Sequence, residues 1–462
     1  MSDEQGWYPD YLFAGGQVQT GTALFADESG TIVRFSKLPS DLDRARRLPG
    51  RALLPGLVNA HSHTFQRVIR GSTESRPKGQ RDTFWTWREK MYQAATRLTP
   101  EQIYQAARAT FLEMLLSGIT SVGEFHYLHH QPDGTRYEDP NLTAKLVIQA
   151  AREIGLRIVL LRTAYGRAGY RTPANRGQLR FLTKDPDEFI ADTEALCSWV
   201  NDVYPADAVA VGVAPHSVRA VVESYLRAII DFARWRDLPV HMHVSEQPEE
   251  NADCIQEYGL SPIRWLDRMG FLAEWFTVVN GIHITDEEAH RLAVSGSSVC
   301  ACPTSERNLG DGPLPADRLF ASGGSICLGS DSQIQIDLLE DARLLEYHLR
   351  MCRFERAVLD PVGGGSDSLA KRLFHAATLA GAKALAQPVG ELAVGKPADF
   401  FTVDLNDLSI ASATSDTLIS QVVFSLERTA VKDVYVAGQP LVVDGYHPLK
   451  ETIVSDFQRE LA

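Results

Sequence analysis

The chain has 462 residues, 44% of them hydrophobic and 23% charged, which is ordinary for a globular protein and long enough for one large and one smaller domain. Its formal net charge of −13 argues against a general nucleic-acid binder, which needs a basic face. The sequence has no run of about 18 apolar residues and no basic-then-apolar leader, so we expect a cytoplasmic protein that neither spans a membrane nor is secreted.

Residues 7–50 alternate apolar and polar positions between turn signals at Gly15-Gly16 and around Ser29, which predicts short antiparallel strands. The same alternation with glycine-marked turns returns near the other end of the chain, in GELAVGKPADFFTVD and VKDVYVAGQPLVVDG. Short sheets need a partner to bury a face, so we expect these two ends to combine.

The stretch from Arg51 to His63, RALLPGLVNAHSH, is apolar up to a bend at Pro55-Gly56 and then presents two histidines. It predicts a buried strand, the first of the main domain, that delivers His61 and His63 to the same side at its end. Neutral imidazoles held close together suit a zinc-like ion. An isolated pair of this kind is more often two ordinary polar residues, so the metal interpretation needs further ligands.

Segment 64–98, with RGSTESRPKGQRD followed by TFWTW, is long for a connection between barrel elements. Such a length predicts either a functional lid or a solvated insertion. A helix should begin directly after it, because Thr99, Pro100 and Gln102 occupy the cap, first-turn and capping-box positions. Gly118 marks the end of that helix.

Strand and helix signals then alternate along the chain. Together with the first strand they give eight candidates, near residues 52, 119, 157, 209, 239, 276, 297 and 325. Eight alternating units predict a closed parallel (β/α)8 barrel rather than an open doubly wound sheet. No glycine-rich phosphate-binding pattern follows any strand, so we expect no nucleotide cofactor.

Three later strand ends carry further candidate ligands. PVHMHVSEQ contains His243 and Glu246, VVNGIHITD contains His283, and ICLGSDSQI contains Asp331. A parallel barrel gathers the carboxyl ends of its strands on one face, so these side chains are predicted to meet the histidine pair there.

This set of motifs, His-x-His, His-x-x-Glu, a later His and Gly-Ser-Asp, resembles the single-metal deaminase branch of the amidohydrolase superfamily over nearly the whole chain. Four longer segments, TFWTWREKMY, EFHYLHH, PHSVRA and ERNLGDG, resemble the formimidoylglutamate deiminases of histidine degradation. The resemblance implies a small β-sandwich domain built from residues 1–54 and 388–462, beside a metal-dependent barrel of residues 55–387.

In our interpretation one divalent ion, expected to be zinc with water in its open position, is held by His61, His63, His243 and Asp331. Zinc lowers the pKa of bound water to about 7 and so supplies hydroxide. Asp331 would also accept the proton of the water, and His283 would orient the nucleophile. Glu246 would carry a proton to the departing nitrogen, because ammonia leaves far more easily once protonated.

Other histidines compete for these roles. His216 stands where a two-metal member of the superfamily has a lysine, which favours one metal. His241 lies one layer deeper than His243, which predicts a core residue. After the second strand, surface or structural roles are at least as frequent as substrate contact for His126, His129 and His130.

The resemblance further implies that Arg88, Tyr127 and Arg219 bind the glutamate carboxylates, that Gln66 lies in the pocket, and that His216 faces the polarised carbon. Planar guanidinium groups bind carboxylates in bidentate fashion. Arg88 alone, in a tryptophan-rich segment, is as often a stacked structural residue. Arg219 is the stronger candidate, because it lies three residues beyond His216 at a strand end.

The implied reaction converts N-formimidoyl-L-glutamate into N-formyl-L-glutamate and ammonia. We expect a homodimer that acts on this small anionic substrate and binds neither nucleic acid nor membrane. Two alternatives remain open: a single-metal aminohydrolase of purine-type or other aminated heterocycles, and a non-catalytic barrel scaffold. The scaffold is disfavoured because all expected ligand positions are filled. Formimino-aspartate remains a possible close analogue.

Overall fold

The computed structural model describes residues 4–76, 78–79, 81–172 and 175–461. Its strands are, in chain order, β1 (Gln5–Ala14), β2 (Gln17–Gln19), β3 (Ala23–Ala26), β4 (Ile32–Ser36), β5 (Arg46–Pro55), β6 (Leu57–Ser62), β7 (Ile119–His126), β8 (Arg157–Ala164), β9 (Val209–Pro215), β10 (Val240–Val244), β11 (Phe276–Asn280), β12 (Ser298–Ala301), β13 (Ser325–Leu328), β14 (Phe400–Asp404), β15 (Val431–Val436) and β16 (Gln439–Val442).

The α-helices are α1 (Pro39–Leu42), α2 (Phe84–Ala95), α3 (Pro100–Leu115), α4 (Leu142–Ile154), α5 (Pro186–Val203), α6 (Glu223–Arg236), α7 (Pro248–Tyr258), α8 (Pro262–Arg268), α9 (Asp286–Ser295), α10 (Pro303–Leu309), α11 (Ala316–Ala321), α12 (Leu338–Arg353), α13 (Ser368–Ala376), α14 (Leu379–Ala384), α15 (Leu418–Phe424) and α16 (Lys450–Leu461). Short 3-10 helices occupy Thr64–Ile69, Arg176–Phe181 and Arg428–Ala430. No helix among the described residues is long and apolar enough to cross a bilayer.

The eight strands β6 to β13 form the predicted barrel. Each pairs in parallel with the next along the chain. A parallel bridge between Ser62 and Asp331 brings the last strand back to the first and closes the ring. Every residue of β6, β7 and β8 is buried, as expected for parallel strands covered on both faces. The (β/α)8 prediction is confirmed.

Both chain ends build the second sheet, in the order β16-β15-β14-β5-β1-β3-β4 with β2 paired to β1. The two ends meet where β5 pairs antiparallel with β14, with Ala52 opposite Val403. The expectation that the ends combine is therefore confirmed. We propose that residues 1–54 and 388–462 form the small domain and that residues 55–387 form the barrel domain, as predicted from the sequence.

The first barrel strand carries His61 at its end as predicted, but its predicted position near residue 52 is wrong. The strand near residue 52 is β5, which belongs to the sheet of the chain ends, and the barrel begins with β6 at Leu57. The chain passes from one sheet to the other at Gly56, where an added Cβ would lie 2.1 Å from the Thr120 Oγ1 atom. The apolar run hides this change because the residues on both sides of it, from Ala52 to Ser62, are all buried.

Segment 64–98 is more ordered than a solvated insertion. It contains the 3-10 helix Thr64–Ile69 and helix α2, which buries Phe84, Met91 and Tyr92 against the barrel. Residues 77 and 80 of this segment lie outside the described residues. The predicted start of α3 is confirmed: the Thr99 hydroxyl accepts from the Gln102 backbone N–H at 3.1 Å, and the Gln102 side chain accepts from the Thr99 N–H at 3.1 Å.

Candidate active site

Four buried side chains converge at the carboxyl-terminal rim of the barrel. The potential ligand atoms of His61, His63, His243 and Asp331 all lie within 4.8 Å of one another. The His63 Nε2 atom is 3.1 Å from the His61 Nε2 atom and 3.4 Å from the His243 Nε2 atom. The Asp331 Oδ1 atom lies 3.4 Å from the His61 Nε2 atom and 3.3 Å from the His63 Nε2 atom. The predicted gathering of the four residues is confirmed.

The hydrogen bonds of the rings prepare them to bind a cation. The Nδ1 atom of His63 donates to the Phe125 carbonyl at 2.9 Å, and that of His243 donates to the His216 carbonyl at 3.2 Å. Since a carbonyl can only accept, each ring carries its proton on Nδ1 and directs the Nε2 lone pair inward. Burial lowers the pKa of His61 and His63 to about 3, so both stay neutral at neutral pH.

Three imidazole nitrogens and one carboxylate oxygen form a donor set that zinc binds well. Their lone pairs face one another across about 3 Å, an arrangement that a positive ion between them stabilises. The residues present therefore fit a single divalent ion, and the cluster can hold a metal.

A cleft opens beside the cluster. Its walls include every residue predicted to contact substrate, namely Gln66, Arg88, Tyr127, His216 and Arg219, together with Glu246. Arg88 comes from α2, and the others lie at the ends of β6, β7, β9 and β10. The barrel thus brings the predicted substrate side chains to the predicted metal cluster, although their roles remain predictions.

Glu246 and Arg219 form a buried pair of opposite charges in this cleft. The Arg219 Nη2 atom lies 3.5 Å from the Glu246 Oε2 atom, and its Nη1 atom lies 3.5 Å from the Glu250 Oε2 atom. Burial raises the pKa of Glu246 to about 7, although the charge of Arg219 opposes this shift. Burial alone would lower the pKa of Arg219, but Glu250 and Glu246 outweigh it and raise that pKa.

The amidohydrolase family model matches residues 52–441. The chain belongs to the amidohydrolase family. It is 37% identical over 426 residues to a formimidoylglutamate deiminase from Pseudomonas aeruginosa, with 91% of each chain covered. It is 30% identical over 415 residues to an 8-oxoguanine deaminase from the same organism, covering 88% of this chain and 84% of the relative. A crystal structure of an amidohydrolase from Brucella melitensis superposes with a TM-score of 0.90, at 32% identity over 99% of each chain.

The family predicted from the motifs is therefore confirmed, and this amidohydrolase is a hydrolytic enzyme. The scaffold alternative does not apply to it.

His283 differs from the other predicted catalytic residues of this amidohydrolase in its relation to the cleft. It follows β11, is half-buried, and is not among the described residues that line the cleft. Its backbone N–H donates to the Ser245 carbonyl at 2.9 Å, and its imidazole hydrogen-bonds the backbone of Asp311. Its Nε2 atom is buried without a hydrogen-bond partner among the described residues. The predicted role of His283 in orienting the nucleophile stays a prediction.

Four other histidines of the barrel are buried and hydrogen-bonded within the fold. The His241 Nε2 atom donates to the Ala384 carbonyl at 2.8 Å, so the prediction of a core residue is confirmed. The three that follow the second barrel strand are buried and hydrogen-bonded, His126 to the Thr143 hydroxyl and His129 and His130 to backbone carbonyls.

Part of the cleft is formed by residues that the sequence did not indicate. Met91 and Tyr92 line it beside Arg88, at the i, i+3 and i+4 positions of one face of α2. That helical spacing was readable in the sequence. Glu250, which contacts Arg219 from behind, gave no such signal, because its meaning depends on a residue of another strand end.

Proposed function

We propose that this amidohydrolase converts N-formimidoyl-L-glutamate into N-formyl-L-glutamate and ammonia, with one bound zinc ion, in the cytoplasm as a step of histidine degradation. The observation that carries the proposal is a pair of arginines with unused donors beside the ligand cluster. The Nε atoms of Arg88 and Arg219 are buried and have no hydrogen-bond partner among the described residues. The relative named formimidoylglutamate deiminase supports it.

Two arginines suit a substrate with two carboxylates. A buried charged donor without an acceptor is unfavourable, and a carboxylate offers the planar bidentate acceptor that a guanidinium group fits. Arg88 also stacks on Trp85, with 4.5 Å between its guanidinium carbon and the ring centre. Stacking leaves the edge of the guanidinium free, so the structural and the binding interpretation of Arg88 are compatible.

Neutral donors complete the pocket. The Gln66 Nε2 atom donates to the Tyr127 hydroxyl at 3.2 Å. Burial raises the pKa of Tyr127 well above its usual range, so the phenol keeps its proton and can donate to a carboxylate oxygen. Both residues thus bind substrate without adding negative charge.

Proton transfer falls to the acidic residues of the cleft. When bound by the four ligands, zinc would supply a hydroxide nucleophile at neutral pH. Asp331 is placed to accept the proton of the nucleophile. A pKa of about 7 lets Glu246 exchange a proton near neutral pH and deliver it to the leaving nitrogen. His216, with its ring centre 5.0 Å from that of His243, would face the reacting carbon as a neutral imidazole, since burial lowers its pKa well below its usual range.

A purine-type substrate is the second candidate, favoured by the 30% identity to an 8-oxoguanine deaminase. A neutral heterocycle would offer no carboxylate to the unpartnered Nε donors of Arg88 and Arg219. Arg219 should therefore be needed to bind the formimino substrate but not to bind a purine-type substrate.

The test measures ammonia release by zinc-loaded protein from N-formimino-L-glutamate, N-formimino-L-aspartate and 8-oxoguanine. We expect turnover of the glutamate compound, and Arg219→Met should raise its KM by roughly 10- to 100-fold, the loss of a hydrogen bond to a charged group. Arg227→Met, at an exposed arginine of α6, is the matched control and should change KM less than twofold. Turnover of 8-oxoguanine with no release from the formimino compounds would refute the proposal.

A further inference from the structure

A buried hydrogen-bond network lies behind the ligand cluster, where the loop after β13 meets the end of β6. Its centre is Gln333, which is fully buried two residues beyond Asp331. The Gln333 Nε2 atom donates to the Ser62 hydroxyl and to the Asp331 carbonyl, both at 2.9 Å, and its Oε1 atom accepts from the Ser330 hydroxyl at 2.9 Å. Both donors and one of the two acceptor positions of this amide are therefore used.

The network continues on the other side of the histidine pair. Ser62 stands between His61 and His63, and its hydroxyl donates to the Glu124 Oε2 atom at 2.5 Å. The Glu124 Oε1 atom accepts from the backbone N–H and the hydroxyl of Thr64, both at 2.7 Å. Glu124 therefore binds both chain neighbours of His63, and Gln333 links that unit to Asp331.

The direction of these bonds explains why an amide stands at position 333. The Ser62 proton points to Glu124, so the Ser62 oxygen accepts from position 333, and the Asp331 carbonyl accepts from it as well. A side chain there must donate twice and accept once, from Ser330. Glutamine does this, whereas a methionine of similar size has no donor.

The backbone of the loop after β13 also needs stabilising contacts. Asp331 has a φ of +48° and Gln333 a φ of +62°, both in the left-handed region that residues other than glycine rarely adopt. Main-chain bonds of 3.0 Å join the Asp331 N–H to the His61 carbonyl and the His63 N–H to the Asp331 carbonyl. Such conformations persist when the surrounding contacts hold them in place.

We propose that Gln333 is a positioning residue for the metal centre: by binding Ser62 and the Asp331 carbonyl together, it fixes the Asp331 carboxylate against the nitrogens of His61 and His63. This inference rests on the metal-binding part of the proposed function and not on its substrate. Asparagine, one methylene shorter, would not span both acceptors.

The test compares Gln333→Met with Gln335→Met, a matched control at an exposed glutamine two residues on. Zinc affinity is measured by competition with a chromophoric chelator, and the visible spectrum of the cobalt(II)-loaded protein reports the geometry of the ligands. We expect Gln333→Met to weaken zinc binding at least tenfold and to shift the cobalt bands. The control should stay within twofold of the wild type with an unchanged spectrum.

Ser62→Ala is a second variant, and it should also weaken zinc binding. If Gln333→Met folds, the double variant should weaken binding less than the product of the two single effects, because both act through one hydrogen bond. The positioning role of Gln333 would be overturned if Gln333→Met bound zinc within twofold of the wild type and showed an unaltered cobalt spectrum. If only Ser62→Ala folds, the same result in that variant would overturn it. A wild type that binds neither metal would overturn the metal site with it, whereas binding without deimination would contradict only the proposed substrate.

Discussion

Replacing Glu246 by Gln tests whether this carboxyl group carries the proton to the leaving nitrogen. Glutamine has nearly the same size, and its amide oxygen can keep the 3.5 Å contact with the Arg219 Nη2 atom. It cannot exchange a proton. With a pKa of about 7, the wild-type carboxyl is present in both protonation states at neutral pH, and the variant removes this exchange together with the negative charge of the ionised form.

The expected loss is large in kcat and small in KM. A positioned acid or base contributes roughly 10²- to 10⁴-fold, which corresponds to about 3–5 kcal/mol of activation free energy. Arg219 keeps Glu250 as a partner at 3.5 Å, so its charge stays compensated and the carboxylate site stays intact. KM should therefore remain within about threefold or fall, and the zinc content should not change, because Glu246 is not among the four ligands.

Steady-state ammonia release over a range of pH is the assay. In the wild type, kcat should depend on a group that titrates near 7, and that dependence should be absent from Glu246→Gln. Glu274→Gln, at an exposed glutamate beside the opposite end of the barrel, is the control and should keep the wild-type profile. A kcat within threefold of the wild type, with the ionisation near 7 retained, would show that another group moves the proton.

Two further predictions concern the metal and the core. Removing zinc with a chelator should abolish ammonia release and lower the melting temperature, and added zinc should restore both. A ligand at about 1,000 times its Kd stabilises the fold by about 4 kcal/mol. An unchanged melting temperature would contradict a bound metal. Burial lowers the pKa of His241 to about 3, so stability rises between pH 3 and 6.5 and is lost as the pH falls. His241→Gln should flatten this dependence by about 1 kcal/mol per pH unit, measured by urea denaturation, and an unaltered slope would refute the assignment.

The candidate ligands were predictable because each follows a short apolar run. His61, His243 and Asp331 come from strand ends that are far apart in the sequence, and the parallel barrel alone determines that they meet. Local pattern identifies the strand, the strand end identifies the ligand, and the fold class supplies the convergence.

The start of the barrel was not predictable in the same way. Alternation shows a strand only when one of its faces is polar, and the chain is buried throughout from Ala52 to Ser62. The passage from one sheet to the other at Gly56 depends on the close approach of Thr120, a residue of β7. No local feature of the run records that contact.

The residues that hydrogen-bond the backbone around the ligands could not be predicted, for a related reason. Gln333 and its partner Ser62 are 271 residues apart, and Glu124 lies 62 residues from Ser62. A glutamine or a buried glutamate has no characteristic spacing that identifies its partners. Such positions become meaningful only once the barrel has closed and the hydrogen bonds can be traced.

The pairing of Arg219 with Glu246 suits the charge pattern of the proposed substrate. A formimino-amino acid carries its α-carboxylate close to a largely cationic amidine, and the cleft presents a cation and an acid whose atoms lie 3.5 Å apart. Binding would exchange the internal pair for two pairs with the substrate, so that neither buried charge is left alone. A neutral heterocycle could separate Arg219 from Glu246 only by leaving Glu246 uncompensated and Arg219 with Glu250 alone. Local contacts of this kind would let a protein with a net charge of −13 select the proposed dicarboxylate.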